Sequence, residues 1–325
     1  MGIKNLLKFL YNYPNIVKQI DRNELNGKRI AIDISILLYQ SVIAIRNTGH
    51  DITNKNGKII SHIVGLLNKT LILMENNIIP IFVFDGRPPN IKKNILNIRR
   101  ELKNKALVQY DQAESKIDQI KYFKRCVSIT KDHMNECREL LTFMGIPFID
   151  AVQEADSELA YLCKNNLVHS VLTEDMDILT FGSPRIIKNI LSFNKPLIEI
   201  NLNDILNTLK INQEEFIELC ILFGCDYCST STKNQNISNH MIYELYKKNK
   251  FEIFDKLNIN INDYTVAKKY FINCPNNNIT ESLEIRPPQI EQLVDLLVNK
   301  YNLSYNKTIL KMNKLNTFYN KNKTI

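Results

Sequence analysis

No apolar stretch in this 325-residue chain is long enough to cross a bilayer, so a membrane-spanning protein is not expected. The first residues, Met1-Gly-Ile-Lys-Asn-Leu-Leu-Lys-Phe-Leu, are too short and too interrupted for the apolar region of a secretory signal. Met1-Gly2 is followed by Leu6 where a myristoylation signal needs Ser or Thr. Cysteines number seven, an odd count, and with no signal they place the chain in a reducing intracellular compartment. No internal repeat is present. Glycine is missing altogether from the polar run Ser229-Thr-Ser-Thr-Lys-Asn-Gln-Asn-Ile-Ser238.

Charge is present in both signs but unevenly. The chain carries 42 basic and 34 acidic residues, a net +8. Arg87 to Lys131 holds 12 basic and 4 acidic residues, also +8, so the remaining 30 of each cancel. One short basic segment therefore carries the whole surplus, a footprint for a polyanion such as nucleic acid. A solvated helical face would read the same way.

The acids follow another rule: most of them close short apolar runs. Asp33 ends Arg29-Ile-Ala-Ile-Asp33, Asp85 ends Ile78-Ile-Pro-Ile-Phe-Val-Phe-Asp85, and Asp175 and Asp177 end Ser170-Val-Leu-Thr-Glu-Asp-Met-Asp177. Glu154 and Asp156 follow Gly145-Ile-Pro-Phe-Ile-Asp150, and Asp226 ends Leu219-Cys-Ile-Leu-Phe-Gly-Cys-Asp226. Runs of this length, rich in Ile, Val and Phe, read as buried parallel strands. Ligands of such sheets bind beyond the carboxyl ends of the strands. The carboxylates should meet there, and so many anions in one place require cations. For any one of these acids alone, a helix cap or a solvated surface carboxylate is the better reading; the set reverses it. Glu158 and Glu174, beside the set, read as surface charges.

The pattern predicts strand, helix, helix, strand over the first ~85 residues. Pro88-Pro89 breaks the chain, and Ile91 to Arg125 reads as an exposed basic helical excursion. Helix 131–144, strand 145–150, helix 153–165 and strand 168–173 follow, and beyond Asp226 the chain turns helical.

With Met1-Gly-Ile3, Ala31-Ile-Asp-Ile-Ser35, Val83-Phe-Asp-Gly-Arg-Pro-Pro89, Thr173-Glu-Asp-Met-Asp-Ile-Leu-Thr-Phe-Gly-Ser-Pro184 and Leu219-Cys-Ile-Leu-Phe-Gly-Cys-Asp-Tyr-Cys228, the chain resembles the XPG-type structure-specific 5′ nucleases, and among them the flap endonucleases. The likeness is strong to about residue 228 and weak beyond. The resemblance implies an α/β fold: a mostly parallel central sheet, a PIN-like nuclease core, flanked by helices. It divides the chain into core segments 1–90 and 131–228, a helical arch 91–130, a divergent helix-hairpin-helix DNA-binding region 229–300, and a tail 301–325. It implies Mg2+-dependent cleavage of branched DNA near the base of a 5′ flap, in replication and repair. A 5′–3′ exonuclease or gap nuclease, an RNase on the same core, and a weakly catalytic junction-binding protein are the alternatives.

By the same resemblance Asp33, Asp85, Glu154, Asp156, Asp175, Asp177 and Asp226 hold the metal. Two divalent ions can activate water, stabilise the transition state and neutralise the leaving oxygen of a phosphodiester. A carboxylate-only set suits Mg2+, with Mn2+ as a substitute. The family usually has Glu where this chain has Asp156, one methylene longer, so weaker metal binding is expected. Lys92 and Arg99, two helical turns apart, share a helix face, and the resemblance makes them the arch cations at the scissile phosphate. Lys93 and Arg100 become DNA-backbone contacts. Tyr39 matches a base-stacking tyrosine, with a core tyrosine as its rival. Gly2 would let the main chain approach the DNA.

The family carries a glycine-bearing hairpin, often around potassium, where this chain has the glycine-free run 229–238. Glycine normally permits the left-handed turn, so potassium binding is in doubt. Cys220, Cys225 and Cys228 with His240 read better as small buried residues than as a zinc site, which needs four closed ligands. In the tail, Leu315, Phe318 and Tyr319 resemble a sliding-clamp peptide without its leading Gln; packing on the protein's own core is the equal alternative. The remaining expectations are a monomer that binds double- and single-stranded branched DNA at sites of replication.

Overall fold

The computed structural model describes residues 2–192, 194–228, 237–248, 250–276 and 282–323. Two compact units form, with interleaved segments. The first comprises Met1–Asp21, Asp85–Leu96 and Ala151–Asn278; the second comprises Arg22–Phe84, Asn97–Asp150 and Ile279–Ile325. Among the described residues there are seven strands: β1 (Val17–Gln19), β2 (Arg29–Asp33), β3 (Ile79–Phe84), β4 (Phe148–Asp150), β5 (Ser170–Leu172), β6 (Arg185–Lys188) and β7 (Ile198–Asn201).

In the second unit β2, β3 and β4 are all parallel, with Ile32 opposite Phe82 and Phe82 opposite Phe148. Every residue of β3 is buried, as a parallel strand covered on both faces requires. The helices Ile34–Arg46 and Ser61–Glu75 pack together in this unit at a glycine. A β-carbon on Gly65 would lie 2.6 Å from that of Ser41, so no larger residue fits. In the first unit β5 and β6 are parallel, while β7 is antiparallel to both β6 and β1. The fold class is thus the expected one, α/β and mostly parallel.

The basic excursion is helical, as its polarity implies. Lys93–Asp111 buries only Ala106, and Lys116–Arg125 buries no residue. Arg46 ties the second of these helices down. Its guanidinium lies 4.1 Å from the Phe123 ring centre, donates to the Phe123 carbonyl at 2.8 Å, and makes two bonds to Asp51 at 3.1 and 2.9 Å. Stacking and bidentate pairing together use the planar fork that lysine lacks.

One expectation is corrected. Glu158 is not a surface charge; it is fully buried. It lies one turn beyond Ala155 and one turn before Leu162, so helical spacing puts it on the inward stripe of Ala155–Lys164. The tail takes the alternative reading, packing on the chain's own core. Tyr305–Asn322 is a helix packed on Ser61–Glu75, with Met312, Leu315 and Phe318 only 1%, 1% and 5% exposed and Tyr319 half-buried. Polar links reinforce it: Lys311 to Asn68 at 2.7 Å, Lys314 to Glu75 at 2.6 Å and Asn322 to Asn77 at 3.0 Å. The apolar i, i+3 spacing of Leu315 and Phe318 here serves the fold. Phe318→Ala and Leu315→Ala are therefore expected to cost about 2–5 kcal/mol each in a denaturant titration. Wild-type stability in both variants would show that these side chains carry no core.

Candidate active site

Six of the seven motif acids belong to the first unit. Asp85 directly follows β3, and its Oδ1 accepts the main-chain N–H of Ala155 at 3.0 Å. Ala155 opens the helix Ala155–Lys164, so Asp85 satisfies one of the amides a helix start leaves unpaired. Glu154 is the residue just before that helix and Asp156 lies in its first turn, where the helix dipole favours negative charge. Beyond β5, the Asp175 N–H is held by Thr173 Oγ1 at 2.9 Å, and Asp175 Oδ1 accepts the Asp177 N–H at 3.1 Å. This tight turn allows two acids at i and i+2 to face inward, which a regular helix would not. Asp177 then opens the short helix Asp177–Thr180, and Asp226 follows the helix Gln213–Phe223. The seventh acid, Asp33, closes β2 in the second unit. It is 7% exposed and caps the helix Ile34–Arg46 by accepting the Ile36 N–H at 3.1 Å.

Burial differs across this group: Glu154 and Asp177 are buried, Asp156, Asp175 and Asp226 are half-buried, and Asp85 is exposed. Glu154 is 6% and Asp177 2% exposed. Burial, and then the neighbouring Asp175 and Asp226, push the Asp177 carboxyl well above the usual carboxylate range. Its Oδ1 is buried and has no hydrogen-bond partner among the described residues. A cation in direct contact with the group is Lys92, which closes the 3-10 turn Asn90–Lys92 just past Pro88-Pro89. Its ammonium pairs with Glu154 Oε1 and lies 3.8 Å from Asp226 Oδ2. Burial alone would lower the Lys92 pKa; Glu154, Asp156 and Asp226 outweigh it and raise it to about 12. No three carboxylate, imidazole or thiol groups converge on one point among the described residues.

Gly2 stands against the same acids. Its φ of +80° is one that glycine adopts freely. A β-carbon there would collide with Asp175 Oδ1 and lie 2.9 Å from Asp177 Oδ1. Lys93 is the exposed first residue of Lys93–Asp111; Arg99 and Arg100 lie further along that helix, in the second unit, with Arg100 exposed. Tyr39 is 37% exposed on Ile34–Arg46, so it is not a core tyrosine. Cys220, Cys225 and Cys228 are buried, and His240 is exposed on Asn239–Lys248.

Two residues were not singled out in the sequence. Tyr227 donates its hydroxyl to Glu154 Oε2 at 2.6 Å, and Tyr270 donates to the same oxygen at 3.2 Å. Tyr227 adjoins Asp226, so its place in the motif was a signal. Tyr270 comes from the distant helix Ile261–Ile272, and no local pattern announces it.

Comparison with known proteins shows the family. The XPG N-terminal domain family matches residues 1–106 and the XPG I-region family matches 145–226. Flap endonuclease 1-A of rice, Oryza sativa subsp. japonica, is 36% identical, over 99% of this chain and 88% of its own length. This chain belongs to the XPG-type flap endonuclease family. The flap endonuclease-1 structure from Methanococcus jannaschii shares the fold, with a TM-score of 0.77 at 30% identity over 98% of this chain and 99% of that one. Flap endonuclease 1 of Plasmodium falciparum is 39% identical over 98% of this chain. This family member spans about half of that relative's length, 54%.

Proposed function

We propose that the chain is a Mg2+-dependent, structure-specific endonuclease that cuts branched DNA near the base of a 5′ flap, at sites of replication and repair. The observation that carries this reading is the acid group, with Glu154 and Asp177 buried, that Lys92 meets at Glu154 and Asp226. Nucleases of this family are metal-dependent, and the residues present fit a divalent ion. Every candidate ligand is a carboxylate oxygen, the donor type that hard cations take. Asp177 Oδ1 is buried without a donor, and Lys92 already supplies one positive charge where the acids crowd. Asp33, Asp85, Glu154, Asp156, Asp175, Asp177 and Asp226 would hold two Mg2+ ions, with Mn2+ as a substitute. Bound ions of this kind lower the pKa of a water nucleophile and neutralise charge on phosphate oxygens.

The chain's own groups do the rest. Lys92, released from Glu154, presents three ammonium donors to the scissile phosphate, and Arg99 adds a second cation from the arch. Both act on charge that grows in the transition state. Lys93, Arg100 and the basic surplus of 87–131 bind phosphates without reading sequence. The exposed ring of Tyr39 stacks on a base beside the cut. Gly2 fixes the floor of the site against Asp175.

The reading is tested by a Mg2+ cleavage panel of 5′ flap, double flap, nicked duplex, gapped duplex, four-way junction and RNA-containing flap. Preferred cutting of the flaps supports it. Preference for gaps or free 5′ ends would make the chain an exonuclease or gap nuclease, and binding without cutting a junction-binding protein. The glycine-free run 229–238 lies largely outside the described residues. From its composition, flap affinity is expected to be the same in KCl and NaCl at equal concentration; markedly tighter binding in KCl would show a potassium-bound turn there.

A further inference from the structure

Glu154 is held differently at its two oxygens. Oε1 accepts from Lys92, a group that the proposed mechanism needs elsewhere. Oε2 accepts two hydroxyl protons, from Tyr227 at 2.6 Å and from Tyr270 at 3.2 Å. A carboxylate oxygen has two lone pairs, so these bonds fill Oε2. The tyrosines are themselves fixed. Their rings lie 4.9 Å apart, Tyr227 meets Phe271 edge-on at 5.0 Å, and Phe181 packs 6.4 Å from Tyr227 and 6.0 Å from Tyr270. Tyr227 is 5% exposed. The pair therefore does more than fill space beside an acid.

We infer that Tyr270, together with Tyr227, is a positioning residue that lets Glu154 offer a cation only Oε1, and so favours Mg2+ over Ca2+. The inference rests on the proposed metal reading of Glu154. Its logic is the coordination habit of the two ions. Mg2+ needs near-ideal octahedral geometry and takes single carboxylate oxygens; Ca2+ accepts bidentate carboxylates and a looser, larger shell. A glutamate with one oxygen occupied by two hydroxyls satisfies the first and cannot chelate the second. It also ties the helix Ile261–Ile272, far along the chain, to the acid group through one hydroxyl.

The test is calorimetric titration of the DNA-free full chain with MgCl2 and with CaCl2. Wild type is compared with Tyr270→Phe and with Tyr227→Phe/Tyr270→Phe. Phenylalanine keeps the ring contacts and removes only the hydroxyl, and the melting temperature in EDTA checks that each variant folds. Outer partners of a metal site are typically worth about 10–100-fold in affinity. Mg2+ binding is therefore expected to weaken about tenfold in the single variant and further in the double. Ca2+ binding should hold or tighten, so the Ca2+ to Mg2+ affinity ratio rises by about tenfold or more. A ratio within twofold of wild type, including an equal weakening for both ions, overturns the inference while leaving the metal reading intact. A folded wild-type chain that takes up neither ion overturns the metal reading itself, and the tyrosine inference with it.

Discussion

Asp177→Asn is expected to remove cleavage and at the same time to stabilise the metal-free protein. The catalytic loss should exceed about a thousandfold, because it removes a ligand itself and even outer partners command about 10–100-fold. Flap affinity should stay within a few fold, since it comes mainly from phosphate contacts. The stabilisation follows from the acid's surroundings. Asp177 is 2% exposed, faces Asp175 and Asp226, and has an Oδ1 with no hydrogen-bond partner among the described residues. A neutral amide of the same shape escapes both the desolvation and the repulsion. Burying a charge without a partner costs stability, so its neutral replacement should gain it. Denaturation in EDTA should show the gain, and saturating Mg2+ should shrink or reverse it, because only the wild type gains full binding energy. A variant that is less stable than wild type in EDTA would mean the carboxylate is satisfied by the protein alone.

Lys92→Ala is expected to lower both the cleavage rate and the stability of the metal-free protein. The single-turnover rate should fall by about 10²–10³-fold, the usual loss of a group that stabilises transition-state charge, with flap affinity little changed. Arg99→Ala should share the loss of rate. In EDTA the Lys92 variant should also be destabilised. Its ammonium is 12% exposed and neutralises a Glu154 side chain that is 8% exposed, and breaking a buried pair from one side costs about 3–5 kcal/mol. Tyr227 and Tyr270 still donate to Glu154, which places the expected loss at the lower end. Mg2+ should restore stability but not rate. Loss of binding alone, with the rate at saturating enzyme unchanged, would make Lys92 a substrate anchor and not a catalytic group. Equal stability in EDTA would mean that the Lys92–Glu154 pair carries no weight.

The sequence exposed those parts of the fold whose signals are local. β2 and β3 are apolar runs closed by acids and appear as strands where those runs lie, while the strand expected over 168–173 shortens to Ser170–Leu172. The capping box of Thr130 with His133 begins the helix Lys131–Met144, and Gly145, at φ +71°, ends it. The strand expected over 145–150 is shorter, Phe148–Asp150, because Gly145 and Ile146 still cap the preceding helix. What stayed hidden depends on partners far along the chain. β1 is three residues with little burial and pairs only through its main chain with β7, so no alternation marks it. β6 is a four-residue run flanked by Arg185 and Lys188, and Lys188 is buried because the Thr173 and Glu174 carbonyls accept its protons.

The site divides along the same line. The motif acids stood out at the ends of their runs and Gly2 through the family resemblance, yet why Gly2 must be glycine only appears when Asp175 is seen against it. Lys92 was placed on a helix face with Arg99. In the structure it sits on a 3-10 turn just before that helix, because Pro88-Pro89 delays the helix start. That position points its ammonium at Glu154. Leu315 and Phe318 show the limit of spacing alone, since i, i+3 apolar residues suit a docking peptide and a packed helix equally.

The most direct measurement is single-turnover cleavage of a labelled 5′ flap by wild type and Asp175→Asn, each in Mg2+ and in EDTA. The account predicts a cut near the flap base by wild type in Mg2+ alone, with Asp175→Asn binding the flap and leaving it whole. Cleavage that persists in EDTA, or in Asp175→Asn with Mg2+, would contradict it.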